Sequence, residues 1–313
     1  MGAGEFYREL IKKLETEEAV GVFTDTACGG RKSFAGEQPA GKDGVMEWYS
    51  GHPRAVICGG GHISLALCHL FHMLDFKITL IDDRFTFASK ERFTEAEEVI
   101  CQPFEEVFRT RKFGKNTYFI IVTRGHEFDT LCLRQILKQP GKYIGMIGSR
   151  TKVRIAFEQL MEEGVSQEQL SQVHAPIGLD IGARTPEEIA ISIAAEAVQI
   201  MRKGSRELIY LEDAVAEQIR SGKKGILLSV IEKKGSSPGK EGSHIFLDEA
   251  GNQYGTIGGG TLEYEAVQTA KLKTSEETEI YTYDLSNGPA AKLGMACGGQ
   301  IRVLFEMIEE TGL

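Results

Sequence analysis

Residues 54–83, which read RAVICGGGHISLALCHLFHMLDFKITLIDD, carry the strongest indication of the fold. An apolar run at 55–58 predicts a strand, the glycines at 59–61 predict a tight turn, and helical periodicity continues to about Leu74. KITLID then predicts a second strand. This strand-turn-helix-strand unit, repeated along the chain, predicts an α/β protein with a Rossmann-like, doubly wound and mostly parallel sheet.

The turn within this stretch matches a dinucleotide-binding fingerprint. Gly59 and Gly61 fit the first two glycines of G-x-G-x-x-G, Ser64 stands in the third place, and Asp82 ends the next strand about 20 residues on. Glycines let the backbone approach a phosphate at the positive end of the helix that opens near His62, and an aspartate can accept hydrogen bonds from a ribose diol. Arg84 directly follows the acidic pair Asp82 and Asp83, so the sequence does not decide whether the nucleotide is NAD or NADP. The alternative is a doubly wound sheet without a nucleotide.

Three further turns follow predicted strands, where ligands of such sheets bind: TRGHEFD, GSR and GLDIGAR. Their candidate site residues are His126, Glu127, Asp129, Ser149, Arg150 and Asp180. The first three can titrate or coordinate, and the serine and arginine of GSR can bind an anion. Each of them alone is also explained as a turn residue or a helix cap. The helix that follows opens with TPEE, a capping box that needs no catalytic explanation.

The alternation of strands and helices predicts a Rossmann-like domain over 51–205 and a smaller α+β domain over 206–313. Two loops of the smaller domain, GSSPG and TIGGGTLE, offer strings of backbone N–H groups that can cradle a polyanion or a flat ring. Ordinary hairpin turns are the alternative. The loop residues concerned are Ser236, Ser237, Gly258, Gly259 and Gly260.

Ala-Cys-Gly-Gly occurs twice, at 27–30 and 296–299, and places Cys28 and Cys297 on permissive glycine backbone. Such a thiol suits close approach to a ligand, another sulfur or a metal, and a buried cysteine beside a turn is the alternative. Six cysteines without a C-x-x-C pair argue against a disulfide framework or a structural zinc site. A group of cysteines and histidines within 58–72 is explained by a packed helix.

Charge and composition exclude several classes of partner. The 313 residues carry a formal net charge of -9, and the basic residues are scattered, which disfavours nucleic acid and anionic membranes. The first residues lack the pattern of a signal peptide, and the apolar stretches fall far short of the ~20 residues that span a bilayer. We therefore expect a cytoplasmic protein.

Several motifs resemble the Rossmann domain of the xanthine dehydrogenase accessory (XdhC/CoxI) family: CGGGHISLAL, LIDDR, YIGMIGSR and HAPIGLDIGARTPEEIAISIAAEAV. EKKGSSPGKEGSHIFLDEAGNQYGTIGGGTLEYEAV and MACGGQIRVLFE resemble the family's other domain. The resemblance implies binding of the molybdenum cofactor (molybdopterin), support of its sulfuration, and insertion into an apo molybdenum hydroxylase. It also implies that Cys297 is the signature cysteine that binds molybdenum or passes sulfur. The implied partners are the apo-hydroxylase and a cysteine desulfurase, and a homodimer is expected.

The order of the domains departs from this family, which usually places the small domain first. Residues 1–50 nevertheless resemble a truncated copy of the small domain, with a helix in FYRELIKKLE, strands in AVGVFTD and near GVMEWY, and the first ACGG turn. Both glycine-rich loops are missing from this copy, and chance similarity is the alternative. Whether Cys28 and Cys297 share one site is left open by the sequence.

Three functions are compatible with these motifs. The leading hypothesis is a maturation factor for a xanthine dehydrogenase-type molybdenum hydroxylase, an accessory or chaperone protein rather than a turnover enzyme. The second is an NAD(P)-dependent oxidoreductase that uses Gly59, Gly61 and Asp82, with His126 as acid or base. The third is a nucleotide-sensing adaptor. Their order rests mainly on the resemblance, because a fold alone does not fix a function.

Overall fold

The computed structural model describes residues 2–27, 29–203, 207–235, 239–273, 277–284 and 299–309. The chain divides into two compact units. The Rossmann-like unit comprises residues 52–205, one residue from the predicted boundary, and the second unit combines 1–51 with 206–313. The N-terminal segment and the C-terminal segment, which are far apart in the sequence, thus lie in the same unit.

Helices and strands alternate along most of the described chain. The helices are α1 (Ala3–Leu14), α2 (His62–Met73), α3 (Phe104–Thr110), α4 (His126–Ile136), α5 (Arg150–Glu162), α6 (Gln167–Ser171), α7 (Pro186–Met201), α8 (Asp213–Arg220) and α9 (Gly260–Leu272). The strands are β1 (Val20–Asp25), β2 (Arg31–Phe34), β3 (Gly44–Ser50), β4 (Arg54–Cys58), β5 (Lys77–Asp82), β6 (Glu98–Cys101), β7 (Thr117–Ile121), β8 (Tyr143–Met146), β9 (Val173–His174), β10 (Leu208–Tyr210), β11 (Gly225–Gly235), β12 (His244–Asp248), β13 (Gln253–Gly255), β14 (Glu279–Asp284) and β15 (Gly299–Ile308). None of the helices within the described ranges has the length and apolar character needed to cross a bilayer.

The Rossmann-like unit is built on a six-stranded sheet in the order β6-β5-β4-β7-β8-β9. All five strand pairs are parallel, which confirms the predicted fold class. Leu67 of α2 and Ile193 of α7 pack in the core on one face of the sheet, while Val107 of α3 and Leu133 of α4 belong to a second core cluster. The strand order reverses between β4 and β7, and ligands of such sheets bind outside the carboxyl ends at this switch point.

The second unit contains a four-stranded sheet, β10-β3-β1-β2, and a five-stranded sheet, β13-β12-β11-β15-β14. Leu262 of α9 packs in a core cluster with Leu228 of the five-stranded sheet. Another core joins Leu227 to Val22 and to the apolar faces of α1 and α8. Strand β10 pairs in parallel with β3. Residues 2–51 thus contribute to a sheet and to a hydrophobic core that also contain residues of the C-terminal part of the chain.

A buried group of charges also links these two segments. The side chain of Lys32 on β2 is 2% exposed, and its Nζ lies 3.6 Å from Oε2 of Glu306 on β15 and 4.0 Å from Oε2 of Glu47 on β3. The hydroxyl of Tyr7 donates to Glu306 Oε2 at 2.9 Å. Burial raises the pKa of both carboxyl groups, and the Lys32 ammonium partly offsets that rise. Removing one member would leave a buried charge without its partner, so the group requires the N-terminal segment to be in place.

Candidate functional site

The glycine turn after β4 is held close to the sheet and opens onto the start of α2. Gly59 has a φ angle of 108°, and a Cβ at this position would lie 2.4 Å from the carbonyl oxygen of Val122, so only glycine fits. Gly61 is the N-cap of α2, and a Cβ there would meet open space. His62 begins the helix and is exposed. The turn therefore leaves room beside a helix N-terminus, where anions bind.

Asp82 fastens this turn from the neighbouring strand. Its Oδ2 accepts from the N–H of Gly60 at 2.8 Å and from Nη2 of Arg84 at 2.8 Å, and its Oδ1 accepts from N and Nε of Arg84 at 3.0 and 2.9 Å. Burial would raise the pKa of Asp82, but the hydrogen bonds from Arg84 and Gly60 hold it below the ordinary value. A carboxylate has about four lone-pair sites, and all four are used here. The predicted acceptor for a ribose diol therefore has no free site.

Ser64, in the third position of the fingerprint, is also used internally. It is fully buried, and its hydroxyl donates to the carbonyl oxygen of Gly59. This contact joins the first turn of α2 to the end of β4. The two polar side chains of the fingerprint thus stabilise the turn, and ligand contact is left to Gly61 and the exposed first residue of the helix.

Arginine side chains surround the same turn, and each has a partner within the protein. The guanidinium of Arg84 stacks on the ring of Phe87 at 3.7 Å from the centroid. Nη1 of Arg92 donates to the carbonyl oxygen of the middle glycine at 3.1 Å. Arg124 forms a bidentate pair with Asp83 at 2.8 and 3.1 Å. Because Arg84 and Arg124 neutralise the two aspartates, the open helix terminus favours a phosphate over a bare diol.

A cleft of about 250 Å³ lies between the loop after β7 and the loop after β8. Its polar lining comes from Thr123, Arg124, His126, Asp129, Ser149 and Lys152, and its apolar lining comes from Met146, Ile147, Val153 and Ala156. Helices α4 and α5 both begin at this cleft, and the unpaired N–H groups of a first helical turn favour negative charge. The cleft adjoins the switch point, because Gly59 packs against Thr123.

Asp129 supplies the most perturbed carboxyl group of the cleft. The residue is 7% exposed, and its Oδ1 accepts from the N–H of Thr123 at 3.1 Å and from the Thr123 hydroxyl at 2.6 Å. Burial raises the pKa of Asp129 to about 6, against the opposing effects of the Thr123 hydrogen bonds and of His126 and Lys152. The group therefore changes protonation close to neutral pH, as acid–base residues do.

The other residues predicted on this rim have different positions. Ser149 lines the cleft but also caps α5, since its Oγ accepts from the Lys152 N–H at 3.4 Å. Arg150 is the first residue of α5 and is exposed. Asp180 is exposed in the turn after β9, and it is not part of the cleft lining. The structure thus brings His126 and Ser149 together, and it adds Lys152, which sequence reasoning missed because one lysine on an amphipathic helix carries no signal.

In the second unit, the flanks of three predicted loops meet at one end of the five-stranded sheet. Gly235, which precedes the two serines of GSSPG, pairs with Gly299, which ends the second ACGG. A Cβ at Gly239, at the other end of GSSPG, would lie 2.2 Å from the carbonyl oxygen of Ile257 in the TIGGG turn. The described ends of these loops are therefore neighbours. The predicted site residues Ser236, Ser237, Cys297 and Cys28 themselves lie outside the described residues.

The TIGGG turn is organised by a carboxylate of the helix that follows it. Oε2 of Glu263 accepts from the N–H groups of Ile257 and Gly259 at 3.1 and 3.0 Å. The φ angles of Gly258, Gly259 and Gly260 are 117°, 69° and 67°, a run that only glycine tolerates. The space beside Gly259 and Gly260 is open. Because Glu263 already takes two N–H groups of the turn, a ligand would rely on the first turn of α9.

The two glycines of the first ACGG contact the five-stranded sheet at a different place from Gly299. A Cβ at Gly30 would lie 2.2 Å from Cδ1 of Leu304, and a Cβ at Gly29 would lie 3.5 Å from the carbonyl oxygen of Thr278. Leu304 is five residues from Gly299 on β15, roughly 17 Å at the rise of an extended strand. The described flanks of the two copies thus contact different parts of β15.

The cysteines and histidines within 58–72 do not share one environment, because the two cysteines are buried and the three histidines are exposed. Cys58 and Cys68 are buried, and His69 Nδ1 lies 2.8 Å from Oε1 of Glu95. Among all the residues that the structure describes, no group of three or more histidine, cysteine, aspartate or glutamate side chains could hold a metal ion. The helix of this segment has an apolar face in the core, as its periodicity predicts.

Comparison with known proteins links both units to one family. Residues 55–197 match the model described as the XdhC Rossmann domain, and residues 218–284 match the model described as the XdhC and CoxI family. A crystal structure described as a xanthine dehydrogenase from Bacillus halodurans shares the fold with a TM-score of 0.52 and 21% identity, over 64% of this chain and 65% of that chain.

Two curated proteins are also similar in sequence. YqeB of Escherichia coli (strain K12) is 30% identical over 207 residues, which are 64% of this chain and 38% of YqeB. A probable xanthine dehydrogenase subunit of Bacillus subtilis (strain 168) is 26% identical over 151 residues, 48% of this chain and 44% of the relative. The matched part is thus about two fifths of each relative's length. With both family models matched, in the order Rossmann domain first, the chain belongs to the XdhC/CoxI family.

Proposed function

We propose that this protein is a maturation factor for a molybdenum hydroxylase of the xanthine dehydrogenase type. In this role it binds the molybdenum cofactor as cargo, supports its sulfuration with a cysteine desulfurase as sulfur donor, and inserts it into the apo-hydroxylase. Family membership and the names of the similar proteins support a role related to xanthine dehydrogenase. A homodimer is part of the same proposal.

The observation that carries the proposal is the meeting of three loop flanks at one end of the five-stranded sheet. Gly235 pairs with Gly299, and Gly239 packs on Ile257, so described residues that flank the two serines, the glycine turn and the second cysteine are adjacent. A soft thiolate suits molybdenum or a transferable sulfur, and a helix N-terminus suits a phosphate. Cys297 would hold the metal or the sulfur, and the first turn of α9 would bind the phosphate of the pterin.

The test is loading with molybdenum cofactor. Apo-protein of the wild type and of Cys297→Ala, Cys28→Ala and Cys101→Ala would be loaded, desalted and analysed for retained molybdenum and pterin. Cys101 is an exposed cysteine of the Rossmann-like unit, and its variant serves as the matched control. We expect Cys297→Ala to lose most of the retained cofactor and Cys101→Ala to lose none. Equal retention by Cys297→Ala with an unchanged circular dichroism spectrum removes the thiol from the function.

A second function, nucleotide binding by the Rossmann-like unit, is supported by the open space beside Gly61 at the start of α2. The saturated carboxylate of Asp82 does not fit a ribose diol, so a phosphate is the better-matched group. Titration with ADP, NADH and NADPH, followed by calorimetry, tests this function. Hydride transfer from a bound nicotinamide that is lost in His126→Ala would identify an oxidoreductase, whereas binding that only changes the association with a hydroxylase would identify an adaptor.

A further inference from the structure

The cleft between α4 and α5 contains a carboxyl oxygen without a partner. Both hydrogen bonds to Asp129 go to Oδ1, from the N–H and hydroxyl of Thr123. Oδ2 accepts no hydrogen bond from any residue that the structure describes, although the residue is only 7% exposed and lines the cleft. The atom is not sealed in the core, so Oδ2 is an acceptor that the cleft leaves accessible. The free oxygen therefore points to a ligand that donates a hydrogen bond.

Side chains that can carry positive charge line the same cleft as Asp129. Lys152 on α5 and His126 on Asp129's own helix both act electrostatically on Asp129. Neither side chain forms a hydrogen bond or ion pair within the described ranges, whereas Arg124 of the cleft lining is already paired with Asp83. Lys152 is thus an available cation beside the N-termini of two helices, and the cleft offers an anion site next to a hydrogen-bond acceptor.

The size and lining of the cleft limit the ligand further. Its volume of about 250 Å³ equals that of roughly eight water molecules at ~30 Å³ each. Met146, Ile147 and Val153 provide apolar surface. A small molecule with a short hydrocarbon part fits this lining, because the volume lies below the roughly 300–1,000 Å³ of pockets that enclose drug-sized ligands.

We propose that the cleft binds a small carboxylic acid that carries a hydroxyl or amino group on the neighbouring carbon. The carboxylate lies against Lys152 and the first turn of α5, and the hydroxyl or ammonium donates to Oδ2 of Asp129. An oxoanion without a donor is disfavoured, because it would face the Asp129 carboxylate. This site does not depend on the proposed role of Cys297.

The experiment uses three small acids of similar size on the full chain. Lactate carries a hydroxyl, alanine carries an ammonium, and propionate carries neither. Their dissociation constants are measured at pH 8 by ¹H–¹⁵N NMR, with the amides of residues 123–129 and 148–153 as reporters. We expect lactate or alanine to bind at least about tenfold more tightly than propionate, as one hydrogen bond to a charged group provides.

Three variants assign the contacts. Asp129→Asn is expected to abolish the preference over propionate, and Lys152→Gln is expected to weaken binding of the preferred acid by about tenfold or more. Lys112→Gln, an exposed lysine of the same unit before β7, is the matched control and should bind like the wild type. Propionate binding as tightly as both other acids, equal loss in the control, shifts confined to other amides, or no binding of any probe overturns the proposal.

Discussion

Two glycine turns, one in each unit, are both held by a carboxylate that accepts backbone N–H groups, but the charge of that carboxylate is balanced differently in the two turns. In the turn at 59–61, Asp82 accepts the N–H of the middle glycine and is itself paired with Arg84. In the turn at 258–260, Glu263 accepts two N–H groups of the turn. Its other described hydrogen bonds come from neutral groups. Each turn is thus preformed by a carboxylate, but only the Rossmann-like turn is neutralised.

This difference affects what the two helices can bind. The carboxylate of Glu263 lies in the first turn of α9, where it already satisfies part of the positive end of the helix. The first turn of α2 contains no acidic residue. We therefore expect the first turn of α2 to attract an anion more strongly than that of α9, and the cargo proposed for α9 to need Cys297 as a second point of attachment.

The largest expected effect comes from removing the carboxylate that fastens the Rossmann-like turn. Asp82→Ala leaves Arg84 and the Gly60 N–H without their acceptor in a buried position, and should destabilise the unit by about 3 kcal/mol. Hydrogen exchange by mass spectrometry should show faster exchange in 54–64. Glu91→Ala, at an exposed position of the same unit, is the control. Unchanged protection in Asp82→Ala would show that the turn holds its shape without the carboxylate.

Asp129, like Asp82 and Glu263, accepts a hydrogen bond from a loop N–H, but burial raises its pKa to about 6. A pKa raised in the folded state adds stability that is complete below the unfolded value near 4 and is lost as pH rises through 6. Asp129→Asn should therefore be more stable than the wild type by up to about 2 kcal/mol at pH 8 and not at pH 4. Urea unfolding at both pH values measures this, and a pH-independent difference would contradict the raised pKa.

Glu263 should respond to pH in the opposite direction. Burial would raise its pKa, but the hydrogen bonds from Thr256, Gln253 and the turn lower it, so its stabilisation is lost as pH falls through the folded pKa. Glu263→Ala is expected to destabilise the turn by about 1 to 2 kcal/mol at pH 7, less than Asp82→Ala because Glu263 is only half-buried. Faster exchange in 255–262, absent in the exposed-site control Glu265→Ala, is the readout.

The smallest effect concerns charge alone. Glu263→Gln keeps an acceptor for the turn but removes the negative charge, so inorganic phosphate should bind the second unit a few-fold more tightly at low ionic strength. Phosphate titration monitored by the amides of 260–263 measures the gain, and 0.5 M-scale salt should abolish it, since the Debye length then falls to roughly 4 Å. A gain that survives such salt would point to a rearranged turn.

The sequence predicted the Rossmann-like unit well because its signals are local. Parallel strands such as β7 are continuous apolar runs, and α7 begins with the predicted capping box of Thr185 and Glu188. The short strands β2 and β10 were not predicted, because three or four residues carry little periodicity. The pairing of β10 with β3 joins positions about 160 residues apart, and no local pattern encodes it.

The sequence predicted which residues line the candidate site better than it predicted what each of them does there. Glycines, His126 and Ser149 lie on the rim as the turn positions predict. The role of Asp82 was not predictable, because the arginine two residues later could equally have faced solvent, and only the folded loop shows that it occupies the carboxylate. The burial of Lys32 between two glutamates depends on Glu306 of β15, which is far from Lys32 in sequence, so it too required the structure.

The split second unit has a consequence for biosynthesis. Strands β1 to β3 leave the ribosome early, but β11 and β15, which complete their core, follow only after residues 52–205. At 5–20 residues per second, that interval lasts roughly 8 to 30 s. The Rossmann-like unit, whose pairings are more local, can form in the meantime, whereas α1 lacks its packing partners on α8, β11 and β15 until they are made.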